Sequence, residues 1–174
     1  IVLIVAALVN FGVNGIQYAI QLHLVSCGTN ATSIGFISGG ISLMMLVGSL
    51  LAGKLSDKVP VGPTVCLAYL FICLCVLPMT LTDSYWIMLV ANSFVGLPFP
   101  LINAMLLGFI FAKSPTSMQG RITVTLTVPA QVLSMFCSAV AGTLLPVFGF
   151  HGAVLVFLAV LVASAVLVIC SRSI

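Results

Sequence analysis

Between Ala153 and Cys170 the chain reads AVLVFLAVLVASAVLVIC, with Ser164 as its only polar side chain. A helix of about 20 such residues, rising about 1.5 Å each, matches the roughly 30 Å hydrocarbon core of a bilayer. Five further runs of this kind precede it, so the sequence is read as crossing a membrane six times. The expected spans are approximately Ile1–Leu24, Ser33–Gly53, Thr64–Leu81, Tyr85–Ala112, Ile122–Phe148 and Gly152–Cys170. The breaks between them are SCGTNAT, KLSDKVPVGP, TDS, KSPTSMQGR and GFH, short and rich in Gly, Pro, Ser, Asn or charge. Membrane β-strands would alternate in polarity, and these runs do not. Charged residues make up 4% of the chain. Soluble proteins carry about a quarter, so a soluble fold is excluded.

The few charges imply a topology. Lys54 and Lys58 lie in the second break, Lys113 and Arg121 in or beside the fourth, and Arg172 follows the last span. With six spans these places share one side of the membrane, and the other side receives Asp83, His23 and His151. Basic residues are retained on the cytoplasmic side, so both chain ends are expected in the cytoplasm of a cell (plasma or inner) membrane. The net charge of +3 therefore reports orientation and not nucleic-acid affinity. The cysteines form no metal or redox pattern, and Cys27, in an external loop, has no external partner for a disulfide. Asn30 to Thr32 spell a glycosylation acceptor but are read as a turn that caps the second helix. The chain opens at Ile1 directly in an apolar run, with no Met and no charged leader, and is expected to be a piece of something longer.

Polar residues are spread unevenly over the spans, and the unevenness repeats. The first span carries Asn10, Asn14, Gln17 and Gln21, spaced four, three and four residues apart and hence on one helical face. The fourth carries Asn92, Gly96, Phe99 and Asn103 on one face, with Pro98 and Pro100 expected to bend or loosen the helix. The second span has a stripe of small residues (Gly35, Gly39, Ser42, Ser49, Gly53), and the fifth a comparable stripe of Thr127, Gln131, Ser134, Ser138 and Gly142. Such stripes let another helix approach closely. The third and sixth spans are the oiliest and suit lipid. The series is thus polar and broken, small-striped, oily, and then the same again: an all-α membrane protein of two inverted three-helix repeats. Broken polar helices at matching positions of two repeats mark a transporter's binding site. Asn10, Asn14, Gln17, Gln21, Asn92, Gly96, Phe99, Asn103 and Gln131 are the residues expected to line a substrate path. Single amides can also serve merely to bond neighbouring helices.

The second break, GKLSDKVPVGP from Gly53 to Pro63, resembles the cytoplasmic motif of the major facilitator superfamily, at the place where that family carries it. Gly53, Leu55, Asp57 and Lys58 match; Pro60 stands where the motif has Gly, and the basic cluster that follows is missing. QGR at Gln119 to Arg121 and AVAGTLLPVFG further on are similar to the fifth helix in C-terminal halves of drug-efflux members, including macrolide-type exporters. The resemblance implies one half of a twelve-helix transporter, with the N-terminal six-helix half as partner and alternating access as mechanism. It implies that the first and fourth helices line the cavity while the second and fifth meet the other half. Gly53, Leu55, Asp57, Lys58 and Arg121 would form a cytoplasmic latch, held by charge-assisted contacts of Asp57.

No Asp or Glu lies inside any span, so proton coupling cannot be assigned to a residue here, and no cofactor or metal is expected. His23 and His151 are read as interfacial residues. Amides flanked by Phe11, Tyr18, Phe94 and Phe99 suit a small amphipathic molecule, moved outward; uptake of a neutral nutrient, or a non-transporting assembly role, are the alternatives. The spans hold no HExxH, no GxSxG and no acidic dyad, and enzyme activity is not expected.

Overall fold

A computed structural model describes residues 2–55, 59–112, 115 and 118–170. Lys58, Asp57, Lys113 and Arg172 lie outside the described residues. The regular structure is helical throughout: α1 (Val2–Ser26), α2 (Ala31–Leu55), α3 (Val61–Leu81), α4 (Tyr85–Val95), α5 (Phe99–Ala112) and α6 (Gln119–Cys170). Among the described residues, Ala31–Leu55, Val61–Leu81, Tyr85–Ala112 and Gln119–Leu167 are long and apolar enough to cross a membrane.

Turn chemistry explains the first reversal. Gly28 has φ +70°, a region that L side chains rarely enter, and closes α1 in a double cap. Its N–H bonds Val25 O at 3.0 Å, and the Thr29 N–H bonds Leu24 O at 3.0 Å, satisfying carbonyls that the helix end would leave bare. The Asn30 carbonyl then accepts the Ser33 N–H at 2.9 Å at the start of α2.

Two expectations need correction. The first span, expected to be broken, is the unbroken helix α1, while the fourth is interrupted as expected, by a turn at Gly96–Pro98 between α4 and α5. There the Gly96 and Leu97 N–H groups bond three residues back, to Ser93 O at 3.0 Å and Phe94 O at 3.1 Å. Pro98 and Pro100 have no N–H to continue the α-ladder, so the chain restarts with the Ile102 N–H on Pro98 O. The last break, in contrast, is shorter than the expected GFH loop. Helix runs to either side of one non-helical residue, Gly149, at φ 69° and ψ −179°.

The chain folds back at that residue. Cys137, twelve positions before Gly149, donates its S–H to Phe11 O at 3.4 Å. Leu161, twelve positions after it, packs at Gly12, where an added Cβ would lie 2.7 Å from the Leu161 side chain. Both limbs of α6 therefore flank the same turn of α1. At Gly15 the Phe157 ring occupies the space a Cβ would need. Around this seam Val5, Val9, Ile16 and Ile20 of α1 are buried with Val154, Phe157 and Leu161. On the other side of the bundle α2 lies on α4 and α5, while α3 touches α4, α5 and α6. Gly48 approaches the Leu97 carbonyl so closely that no side chain would fit, and this seats α2 against the α4–α5 turn.

Outward-facing leucines and valines cover α3 and the last limb of α6, among them Leu67, Leu74, Leu81, Leu155 and Val162. Such a surface is stable in acyl chains and not in water. Hydroxyls on α2 and α6 bond carbonyls of their own helix, as with Ser42 to Ser38 O at 2.9 Å and Thr127 to Thr123 O at 2.9 Å. They therefore present no unmet polar group to an apolar environment.

Candidate substrate path

The amide row of α1 survives as a geometric feature. Asn10, Asn14, Gln17 and Gln21 are all half-buried. At about 100° per residue they share one face, and Gly12 and Gly15, which seat the α6 limbs, fall on the far side. The tight seam and the amides thus use different faces of one helix. Asn14 Nδ2 donates to Asn10 O at 2.8 Å, one turn back along α1. Gln21 Nε2 donates to Ser38 Oγ at 3.3 Å and ties α1 to α2. Gln17 Oε1 is buried and has no hydrogen-bond partner.

The fourth-span residues differ in burial. Asn92 is 2% exposed, in the core, and its Nδ2 is also buried without a partner. Asn103, beyond the turn, is exposed. Gly96 itself is a packing residue, where a Cβ would meet Ile41 O at 2.6 Å. Phe99 is half-buried against the core, and Gln131 is exposed on the first limb of α6. The aromatic residues divide likewise. Phe11 turns to Phe157, with ring centroids 5.7 Å apart. Phe94 lines an apolar groove of about 460 Å³ between α2 and α4, with Phe36, Gly39 and Leu43.

Two small-residue stripes lie open. Gly35, Gly39 and Gly53 of α2 have nothing within 4 Å of a Cβ position, and neither has Gly142 of α6. Thr127, Gln131 and Ser138 are exposed beside it. The glycines that do pack, Gly40 and Gly48, lie on another face of α2. Of the latch residues, Gly53, Leu55 and Arg121 are exposed, and Asp57 and Lys58 are outside the described residues. Arg121 edges a cleft of about 360 Å³ with Met118, Ile122 and Thr125.

A family model for the Major Facilitator Superfamily matches residues 2–173. The chain belongs to that superfamily. A search of curated proteins gave no match. Membership carries membrane transport as the function and a lipid bilayer as the surroundings of this superfamily chain.

Sequence reasoning missed one polar cluster. His23 and His151, read as interfacial residues, and Asp83, of the TDS break, meet at one end of the bundle. His151 Nε2 lies 3.3 Å and His23 Nε2 3.8 Å from the same atom, Asp83 Oδ1. The available signal was the parity of the breaks, which assigned all three residues to one side. Their convergence depends on tertiary packing and is not written in any local pattern.

Proposed function

We propose that the chain is the C-terminal half of a twelve-crossing transporter and moves a small amphipathic molecule outward across a cell membrane by alternating access. In this reading the α4–α5 pair counts as one crossing and the two limbs of α6 as two. That gives six crossings in two inverted repeats, with both ends of the chain in the cytoplasm. The observation that carries the proposal is the α1 amide row, set on the face away from the tight α1–α6 seam, with Gln17 Oε1 buried and unpartnered. An unmet amide oxygen inside a membrane protein is costly unless water, substrate or a second conformation supplies its partner. Asn92 Nδ2 poses the same demand from α4.

The open stripes on α2 and α6 suit the N-terminal half as partner, since small residues let backbones approach closely. Phosphate or carboxylate cargo would call for Lys or Arg along the path, and the amides offer neutral hydrogen bonds instead. The Gly53-to-Lys58 motif and Arg121 would latch the cytoplasmic end. The test is to express the parent chain in an efflux-deficient host and follow the accumulation of a panel of lipophilic compounds. Lower accumulation, reversed by Gln17→Leu at unchanged membrane level, supports outward transport through this path. Raised accumulation of a neutral nutrient would reverse the direction, and no effect on any compound would reject the assignment.

A further inference from the structure

We propose that the gap between α1 and α2 is a polar zip, made in this structure at the rung nearest the α1–α2 turn and open beyond it. The inference deepens the reading above: it rests on the amide row as a wall of the passage and names the groups that close it. Gln21 Nε2 donates to Ser38 Oγ at 3.3 Å, and this fixes which faces of α1 and α2 look at each other. The two helices run antiparallel about the short turn at 27–30. From Gln21 the amide row steps back by four, three and four residues to Gln17, Asn14 and Asn10. From Ser38 the same steps forward along α2 reach Ser42, Met45 and Ser49. Equal steps along antiparallel helices keep pace in depth and hold one face, so Ser42 falls level with Gln17 and Ser49 with Asn10.

Hydrogen bonding shows that the next rung is unmade. Ser42 Oγ turns back to Ser38 O at 2.9 Å, and Ser49 Oγ to Leu46 O at 2.7 Å. Asn14, level with the apolar Met45, bonds Asn10 O on its own helix. Gln17 Oε1 is buried and unmet. That oxygen is an acceptor, and the Ser42 hydroxyl is a donor spent on a carbonyl that the helix ladder already serves. Turning the hydroxyl across the gap gives Gln17 its partner and leaves no group bare.

The packing on either side favours closure as a movement of whole units. Gly12 and Gly15 seat α1 on α6, while Gly40 and Gly48 seat α2 on α4 and the α4–α5 turn. The Tyr85 hydroxyl adds a bond from the start of α4 to Ser33 O of α2, at 2.9 Å. Among the described residues α1 packs on α6, and α2 on α4 and α5, whereas α1 and α2 share no comparable seam. Behind the gap the units are joined by α3, which touches α4, α5 and α6, and by a light contact of α1 with α4. Closing the zip therefore disturbs no tight glycine seam, and the Gln21–Ser38 rung is its fixed end.

Crosslinking of cysteine pairs in the transporter tests the zip, with the native cysteines replaced, a short bifunctional thiol reagent as probe and each variant at wild-type membrane level. Gln21→Cys with Ser38→Cys should link, since that rung is made here. Gln17→Cys with Ser42→Cys and Asn10→Cys with Ser49→Cys should link as well, more slowly, as the gap closes. Gln17→Cys with Val47→Cys, exposed on the far face of α2, should not. Adding Gln21→Leu should slow the 17–42 link about two- to ten-fold, the worth of one neutral hydrogen bond. Absence of the 21–38 or the 17–42 link, equal linking of 17–47, or a 17–42 rate untouched by Gln21→Leu would overturn the zip. Linking in register that leaves the accumulation of every test compound unchanged would uphold the zip and reject the passage, so the two fail separately.

Discussion

Replacing Gly15 by Ala adds a single methyl group at the point where α1 meets the last limb of α6. The Phe157 ring fills that space, and Phe157 is fully buried, so it cannot swing out to solvent or lipid. Either α1 and α6 must separate or the ring must leave its rotamer. Overpacking of this kind costs about 1–3 kcal/mol. The helix propensity gained by Ala over Gly returns about 1 kcal/mol at most. At about 2–4 °C per kcal/mol for a chain of this size, a net loss of up to about 2 kcal/mol lowers the melting point by up to about 8 °C. The protein carries its own probe, since Cys137 is buried and unpaired and reacts with a thiol-sensitive dye as the seam opens. A double-mutant cycle with Phe157→Leu gives the decisive number. The smaller side chain should relieve the clash, so the double variant should be more stable than the sum of the single effects, with a coupling of about 0.5–3 kcal/mol. Strict additivity in the cycle would refute this account of the seam.

Other positions give contrasting outcomes. Gly149→Ala places a side chain at φ 69° and should cost about 1–3 kcal/mol, read in the same melting assay. Gly96→Ala would bring a Cβ to 2.6 Å from Ile41 O and should likewise destabilise, by about 1–3 kcal/mol, loosening the contact of α2 with the α4–α5 turn. Gly35→Leu, where nothing lies within 4 Å, should leave the melting point of the isolated 174-residue unit within a degree or two of wild type. In the twelve-crossing transporter proposed above, the same change should reduce transport, because the stripe would no longer admit a neighbouring helix.

The sequence was most legible where one helix alone decides the pattern. The four, three, four spacing of Asn10, Asn14, Gln17 and Gln21 defined a face, and that face is intact because α1 is unbroken through it. The same arithmetic puts Asn92 and Asn103 on one face, but the Gly96–Pro98 turn lies between them, and Asn92 is buried while Asn103 is exposed. The prolines had signalled a disturbance, but a bend and a break read alike when only the residues are known. Gly149 departs from the pattern in the other direction. Reversal at one glycine is tighter than any loop that the neighbouring apolar residues suggested, and it becomes visible only once Cys137 and Leu161 both land on α1. Similarly, the packing glycines of α2 could not be told from the open ones. Gly39 and Gly40 are adjacent in the chain, and only the position of α4 determines that the second packs and the first does not.

The amide row of α1 is proposed to look into a solvated passage. The most direct test is cysteine accessibility at positions 14 and 17 in the transporter in a membrane, with the native cysteines replaced. Asn14→Cys and Gln17→Cys should react with a water-soluble, membrane-impermeant thiol reagent and be protected by transported substrate. Reaction only with lipid-soluble reagents, or with none in any transport state, would contradict the account.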